Sequence, residues 1–205
     1  MSTKTVGKEP GDVREQREEV SVRRIVVSEF VSLDGVVEDP GWTFRFGSEE
    51  QERFKLDELA ASDALLLGRV TYEGFAEAWP SVDDEEGFAD MMNGYPKYVV
   101  SETLEEPLEW NNSTLVKGDV VGRISDLKRR DGKDIAVHGS ATLVRTLMEH
   151  DLVDELRLMV FPIVVGKGKR LFGEAEDTKA MRLADAKPLG PNGVVVLTYR
   201  PARDG

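Results

Sequence analysis

Ala64-Leu65-Leu66-Leu67-Gly68-Arg69-Val70-Thr71-Tyr72 decides how this chain is read. A short apolar run stops at a glycine, and an arginine and a threonine follow where a helical pattern begins. That is the layout of a buried strand feeding the N-terminus of a helix. The first N–H groups of a helix lack intrahelical partners and its dipole is positive there, so such a junction attracts anions, phosphate above all. Arg69 adds a planar fork suited to a phosphate monoester. An ordinary capped helix after a buried strand looks the same, so the junction gains meaning only from its neighbours.

On its N-terminal side, Arg24–Val31 is an apolar strand and Ser32–Gly47 a long loop containing Pro40 and Trp42. Glu49–Ala61 reads as a helix: Ser48 caps it, acids fill its first turn, and Phe54 and Leu59 face inward. On the C-terminal side come a helix over Thr71–Trp79 and a short one over Asp83–Asn93, stopped by Gly94. Strands follow at Lys97–Ser101 and Ser113–Val116, then a short helix at Ser125–Arg130. A strand at Asp134–His138 runs straight into Gly139-Ser140-Ala141-Thr142. The helix Ala141–His150 carries Leu143, Val144, Leu147 and Met148 on one face. Val153–Val165 is a long apolar strand broken at Pro162. Met181–Lys187 and Val194–Arg200 are joined across the Pro191-Asn192-Gly193 turn.

Strands alternate with helices up to Val153, and strands alone follow. This predicts an α/β fold with a mostly parallel central sheet of about eight strands, an antiparallel C-terminal edge and helices on both faces. Residues 1–22 are polar and read as a flexible tail, with a nascent helix at Arg14–Glu19. Residues 23–203 read as one domain.

The composition narrows the function classes. A net charge of −12 argues against a general nucleic-acid binder but leaves room for a local anion pocket. There is no cysteine, which excludes disulfides and thiolate chemistry, and the two histidines, His138 and His150, are too few for most metal sites. No metal is expected. No apolar run approaches the ~20 residues that span a bilayer, and no signal-like apolar region opens the chain. A cytoplasmic protein that meets neither membrane nor nucleic acid is the expectation.

Four segments fall at the carboxyl ends of predicted strands, where open α/β sheets bind ligands. In Ser32-Leu33-Asp34-Gly35, Asp34 serves either a ligand hydroxyl or its own turn, and Gly35 permits a positive φ. Gly68-Arg69-Val70-Thr71 is the second. In Ser101-Glu102-Thr103-Leu104, Ser101 holds a phosphate oxygen or caps the following turn. In His138-Gly139-Ser140-Ala141-Thr142, small residues let a diphosphate approach the backbone, or Ser140 merely caps a closely packed helix. Gly166-Lys167-Gly168-Lys169-Arg170 sets three cations beside glycines, as a substrate-phosphate site or as a solvated hairpin loop. The acidic run Asp83-Asp84-Glu85-Glu86 lacks a calcium-loop pattern and reads as a solvated helix start.

Together these segments resemble the dihydrofolate reductase superfold, and more closely the RibD C-terminal domain family, the reductase part of riboflavin-biosynthesis proteins. The resemblance runs from about Arg23 to Pro201. It is carried by Ser32–Gly35, Leu67-Gly68-Arg69-Val70-Thr71-Tyr72, Val99-Val100-Ser101 with Thr103-Leu104, Val137-His138-Gly139-Ser140, Val160-Phe161-Pro162 and Gly166–Phe172. It implies NADPH as cofactor. Arg69 matches the contact for the ribose 2′-phosphate, Thr71 the pyrophosphate contact, and Ser101 the hydroxyl near the adenosine end. Gly68 and the His138-Gly139-Ser140-Ala141 junction match the cofactor groove, and Gly139-Ser140 the glycine pair at the pyrophosphate. Thr142 stands where some relatives carry a second arginine.

The resemblance also implies a small-molecule substrate and a homodimer, with the long Val153–Val165 strand a candidate interface. The substrate is expected to be a pyrimidine, a pterin or a ribosylated heterocycle, as in 5-amino-6-(5-phosphoribosylamino)uracil reductase. Ser32, Gly35, Trp42, Lys167 and Lys169 are the expected substrate contacts, and Asp34 and Glu50 (with Glu49 beside it) the candidate acids. The sequence carries no deaminase segment and no zinc signature, so a stand-alone relative with a shifted substrate is expected. The alternative is a non-catalytic nucleotide-binding or scaffold protein that keeps the fold.

Overall fold

A computed structural model describes residues 22–173 and 178–202. The expected tail and its nascent helix lie outside the described residues. The sheet has eight strands in the order β4-β3-β2-β5-β1-β6-β8-β7. These are β1 Ile25–Ser32, β2 Ser62–Gly68, β3 Lys97–Val100, β4 Ser113–Val116, β5 Asp134–His138, β6 Glu155–Phe161, β7 Met181–Leu189 and β8 Val194–Pro201. The six from β4 to β6 are parallel, and β8 and β7 add an antiparallel edge. This is the expected sheet. Val153–Val165 differs: β6 stops before Pro162, which cannot donate to a ladder. Because β1 and β8 flank β6 on both sides, it has no free edge to offer a second copy.

Helices α1 Glu49–Ala60, α2 Arg69–Ala78 and α3 Phe88–Gly94 cover one face. Their Leu59, Tyr72 and Met92 pack on Leu65, Leu67, Val99 and Ala136. Helices α4 Val120–Lys128 and α5 Ala141–Glu149 cover the other. Their Ile124, Leu127, Leu143, Val144 and Leu147 pack on Ile25, Val27, Leu66, Ile135 and Val137. Alternation along the strands sends neighbouring residues to opposite faces, which is why Leu65 and Leu66 join different cores. The helix division follows from right-handed crossovers: the chain steps one way from β1 to β4, then back through β5 to β6.

Two expected helices shift. The acidic run before α3 is not helical. Asp84 instead accepts from the backbone N–H of Phe88 and Ala89, capping a helix that starts five residues later than its first acid. Helix α4 starts earlier than expected, at Val120, with Asp119 capping through Gly122 N at 2.9 Å. Val120, Val121 and Gly122 are poor helix formers, so propensity concealed it and burial of Ile124 and Leu127 made it.

Under β3 lies a buried cation. Lys97 is 0% exposed. Its Nζ donates to the carbonyls of Asn93, Tyr95 and Asn111 at 2.8, 2.9 and 3.2 Å and sits 4.3 Å from the Trp110 ring centroid. Burial pushes its pKa down to about 8, which leaves it charged at pH 7. Lys97→Met keeps the stem but strands three carbonyls. The expected loss is about 2–3 kcal/mol, read from the urea midpoint. An unchanged midpoint would show that the ammonium contributes nothing net.

Candidate active site

The site follows from the topology. At the carboxyl end of β5 the chain turns onto the α5 face. The strands on its two sides, β1 and β2, lead instead to α1 and α2 on the opposite face. A crevice therefore opens on each side of β5, the arrangement in which open α/β sheets take ligands.

The β2–β5 crevice joins two helix N-termini. Ser140 Oγ accepts from Gly68 N at 2.8 Å and donates to Thr71 Oγ1 at 2.9 Å. Neither α2 nor α5 has a side-chain cap, so their first-turn N–H groups stay available to an anion. The approach is tight: a Cβ on Gly139 would lie 3.1 Å from Thr71 Oγ1, and one on Gly68 3.2 Å from Ser140 Oγ. Gly139 has φ +62° and Ser140 φ +67°, a left-handed pair that turns β5 into α5. Ser140 stands at the N-cap position as expected, but its hydroxyl ties the two junctions together rather than capping. Ala141 is buried at the start of α5. Arg69 is exposed at the first position of α2, its Nη1 2.8 Å from Glu73 Oε2.

The β1–β5 crevice holds charge on the α1 face. Lys55 Nζ donates to Ser28 Oγ at 2.9 Å, to Glu58 Oε2, and to His138 Nδ1, 3.3 Å away. Arg157 bonds Glu58 at 3.2 Å and Glu155 at 2.8 and 2.5 Å. Burial opposes the Glu58 charge, and the cations Lys55 and Arg157 more than offset it, holding the carboxyl down at about 2. Burial and the Lys55 charge push His138 down to about 3, so its ring is neutral. Lys55 can only donate, so Nδ1 accepts and the ring proton is on Nε2. That Nε2 is buried with no partner.

Asp34 holds the neighbouring loop. Its carboxylate accepts from Ser32 Oγ at 2.7 Å and from the N–H groups of Val165 and Gly166 at 3.0 and 2.9 Å. The Ser32 bond first, then the backbone bonds, keep it down at about 2. It is an ionised strut with its oxygens engaged. Gly35, at φ +83°, makes the turn that lets Leu171 N reach its carbonyl at 3.1 Å. Lys167 and Lys169 lie exposed in the loop so held.

The remaining residues lie apart from the β5 crevices. Ser101, at the end of β3, accepts from Thr103 N and Leu104 N at 3.1 and 3.0 Å and so caps its own turn. Trp42 sits in a 3-10 helix, Pro40–Phe46, edge-on to Phe161 at 5.6 Å. Glu50 is exposed on the first turn of α1 beside the Gly190 turn.

The model of the RibD C-terminal domain family matches residues 23–195. This chain belongs to that family. It is 28% identical over 180 residues to the uncharacterized protein YyaP of Bacillus subtilis (strain 168), covering 86% of this chain and 94% of that one. A Shewanella sp. PV-4 structure named for riboflavin biosynthesis superposes with a TM-score of 0.70 at 24% identity, over 88% of this chain and 99% of that chain. Dihydrofolate reductase from Enterococcus faecalis, solved with NADP(H), superposes with a TM-score of 0.56 at 13% identity, over 88% and 97% of the two chains. The RibD C-terminal fold is thus shared with dihydrofolate reductase, as expected.

Sequence reasoning missed Lys55, Glu58, Arg157 and Glu29. For Glu29 a signal was present: it stands in Ile25–Ser32 at the alternation position of Ile25, Val27 and Val31, an acid on a buried face. Lys55 and Glu58 carried none, because an i,i+3 ion pair is the ordinary dress of a solvated helix.

Proposed function

We propose that this chain is an NADPH-dependent reductase acting on a carbonyl or imine carbon of a pyrimidine, pterin or ribosylated heterocycle. The reading rests on one observation. The uncapped N-termini of α2 and α5 are tied side by side through Gly68 N, Ser140 Oγ and Thr71 Oγ1. Two positive helix ends meeting over small residues suit a diphosphate. Arg69, one residue away and exposed, suits the 2′-phosphate, which would compete with Glu73 for its guanidinium. The adenosine end then lies over β2 and β3, and the nicotinamide end enters the β1–β5 crevice. Within the described residues no helix is long and apolar enough to cross a membrane.

The test is a fluorescence titration with NADPH and NADH. Arg69→Ala should weaken NADPH about tenfold or more, the loss of a charge-assisted fork, and leave NADH within about twofold. Equal losses would remove Arg69 from the 2′-phosphate. No binding of either dinucleotide would remove the cofactor.

One observation favours a non-catalytic dinucleotide binder. Asp34 is ionised and fully engaged, and Glu50 is exposed by the Gly190 turn, so neither stands ready as an acid in the groove. Binding without turnover across pyrimidine and pterin substrates would support that reading.

A further inference from the structure

Among the described residues, three buried side-chain atoms lack a hydrogen-bond partner: Glu29 Oε1, His138 Nε2 and Ser113 Oγ. Two of the three belong to residues that are neighbours in the sheet. Ser28 and His138 form the last register pair between β1 and β5. At the next position β1 continues as Glu29, paired to Leu158 of β6, while β5 has already turned away at Gly139. Glu29 is 3% exposed and His138 7%. By alternation Glu29 projects on the Val27 side of the sheet, beneath the start of α5, and His138 on the α1 side. The two orphaned polar groups therefore flank the β1–β5 crevice from its two faces.

Natural cores leave few polar atoms unpaired, and each such atom costs stability unless something else binds it. Two at one crevice mark a place for a polar ligand. Lys55, whose charge acts on Glu29, and the cations of the elements that flank β1 are engaged elsewhere. From α1, Lys55 donates to Ser28, Glu58 and His138; from β6, Arg157 bonds Glu58 and Glu155; from α5, Arg145 bonds the Ala141 carbonyl. From the 165–170 loop, Arg170 bonds the Asp34 carbonyl. His138 from β5 is neutral.

We propose that Glu29 is the acid of this site: a buried carboxyl with an unpartnered oxygen beside the reacting end of the dinucleotide groove. The inference rests on the reductase reading above. A bound dihydronicotinamide would supply the hydride to the carbon of a carbonyl or imine, and Glu29 would give its proton to the oxygen or nitrogen of that group. The products would be the oxidised nicotinamide, the alcohol or amine, and a carboxylate that regains a proton from water. His138 Nε2–H, a fixed neutral donor, polarises the same acceptor from the opposite face. Burial lifts the Glu29 carboxyl to about 8 despite the opposing pull of Lys55, so it holds a proton at pH 7.

A substrate-free experiment separates this inference from its premise. NADP⁺ carries a positive nicotinamide ring and NADPH does not, so an ionised Glu29 beside it favours the oxidised form. The ratio of the NADP⁺ to NADPH dissociation constants should fall about tenfold from pH 6 to pH 9, the equivalent of one unit of pKa shift. The 2′-phosphate titrates alike in both forms and cancels. In Glu29→Gln the ratio should be flat. A wild-type ratio that is flat, or that falls equally in Glu29→Gln, overturns the role of Glu29 and leaves the cofactor intact. Failure of both dinucleotides to bind overturns the reductase reading and this inference with it. A second measurement needs no variant of altered function: the ligand-free wild type should show a protonated carboxyl band in the infrared at pH 7 that disappears near pH 8 to 9. Its absence also overturns the proposal.

Discussion

Lys55→Met should destabilise the fold by about 3–5 kcal/mol, the usual consequence of removing one partner from a buried ion pair. Lys55 Nζ has three partners, and the Glu58 side chain it faces is only 2% exposed. Without the ammonium, Glu58 keeps Arg157 alone, and burial acts on its charge with its largest compensation gone. The carboxyl should then titrate upward from about 2, since Lys55 is the largest cause holding it there. His138 should also titrate upward, because the Lys55 charge is the largest cause after burial of its depression. Urea unfolding at pH 7 measures the loss. Glu58→Gln in the Lys55→Met background should cost far less than in the wild type, because the charge it removes has already lost its strongest partner. A loss under about 1 kcal/mol would place the pair with exposed ion pairs and deny the cluster its structural weight.

How much of this was legible in the sequence differs by kind of information. The parallel sheet and its antiparallel edge were legible because apolar runs of strand length alternate with helical spacing up to Val153 and not after it. Gly68-Arg69-Val70-Thr71 and Gly139-Ser140 were legible as junctions, since small residues between strand and helix have few other uses. That Ser140 Oγ would join the two through Gly68 N was not legible. The bond spans 72 residues and exists only because β2 and β5 are neighbours, a fact of strand order that no local pattern carries. Asp34 was legible as a polar loop residue with two readings. The position of Val165 and Gly166, 131 and 132 residues away, decides its geometry. Helix α4 was misplaced because tertiary burial overrode weak propensity at Val120-Val121-Gly122. Glu29 is the instructive miss. A strand of the pattern Ile-Val-Val-Ser-Glu-Phe-Val-Ser invites reading for its apolar content, yet its one acid is buried with an unpartnered oxygen.

That acid should also shape stability against pH. Glu29 holds its proton up to about pH 8 in the folded state, whereas a free glutamate loses it near 4.5. Between those values the folded state binds one more proton than the unfolded, so stability falls as pH rises, at about 1.4 kcal/mol per unit. His138 has the opposite sign. Its pKa drops from 6.5 to about 3 on folding, so its contribution is full above 6.5 and is lost as pH falls through 3. From pH 4.5 to 6.5 the two slopes cancel, and the wild type should be nearly flat. From 6.5 to 8 Glu29 dominates, and stability should decline by about 2 kcal/mol; Lys97, whose pKa is pushed down to about 8, acts with the opposite sign only above that. Below 4.5 Glu29 is silent, and His138 acts with Glu58, whose contribution is present above 4.5 and lost as its depressed carboxyl protonates. A steep acid limb results. Glu29→Gln makes the assignment testable. It should abolish the alkaline decline and make the protein more stable than wild type at pH 8. It should also uncover the His138 slope, so that stability rises from pH 4.5 to 6.5 where the wild type is level. Urea midpoints at half-unit intervals of pH read all three features. Parallel curves for the two proteins would show that Glu29 is ionised in the folded state at neutral pH, and the acid proposed for the β1–β5 crevice would be lost with it.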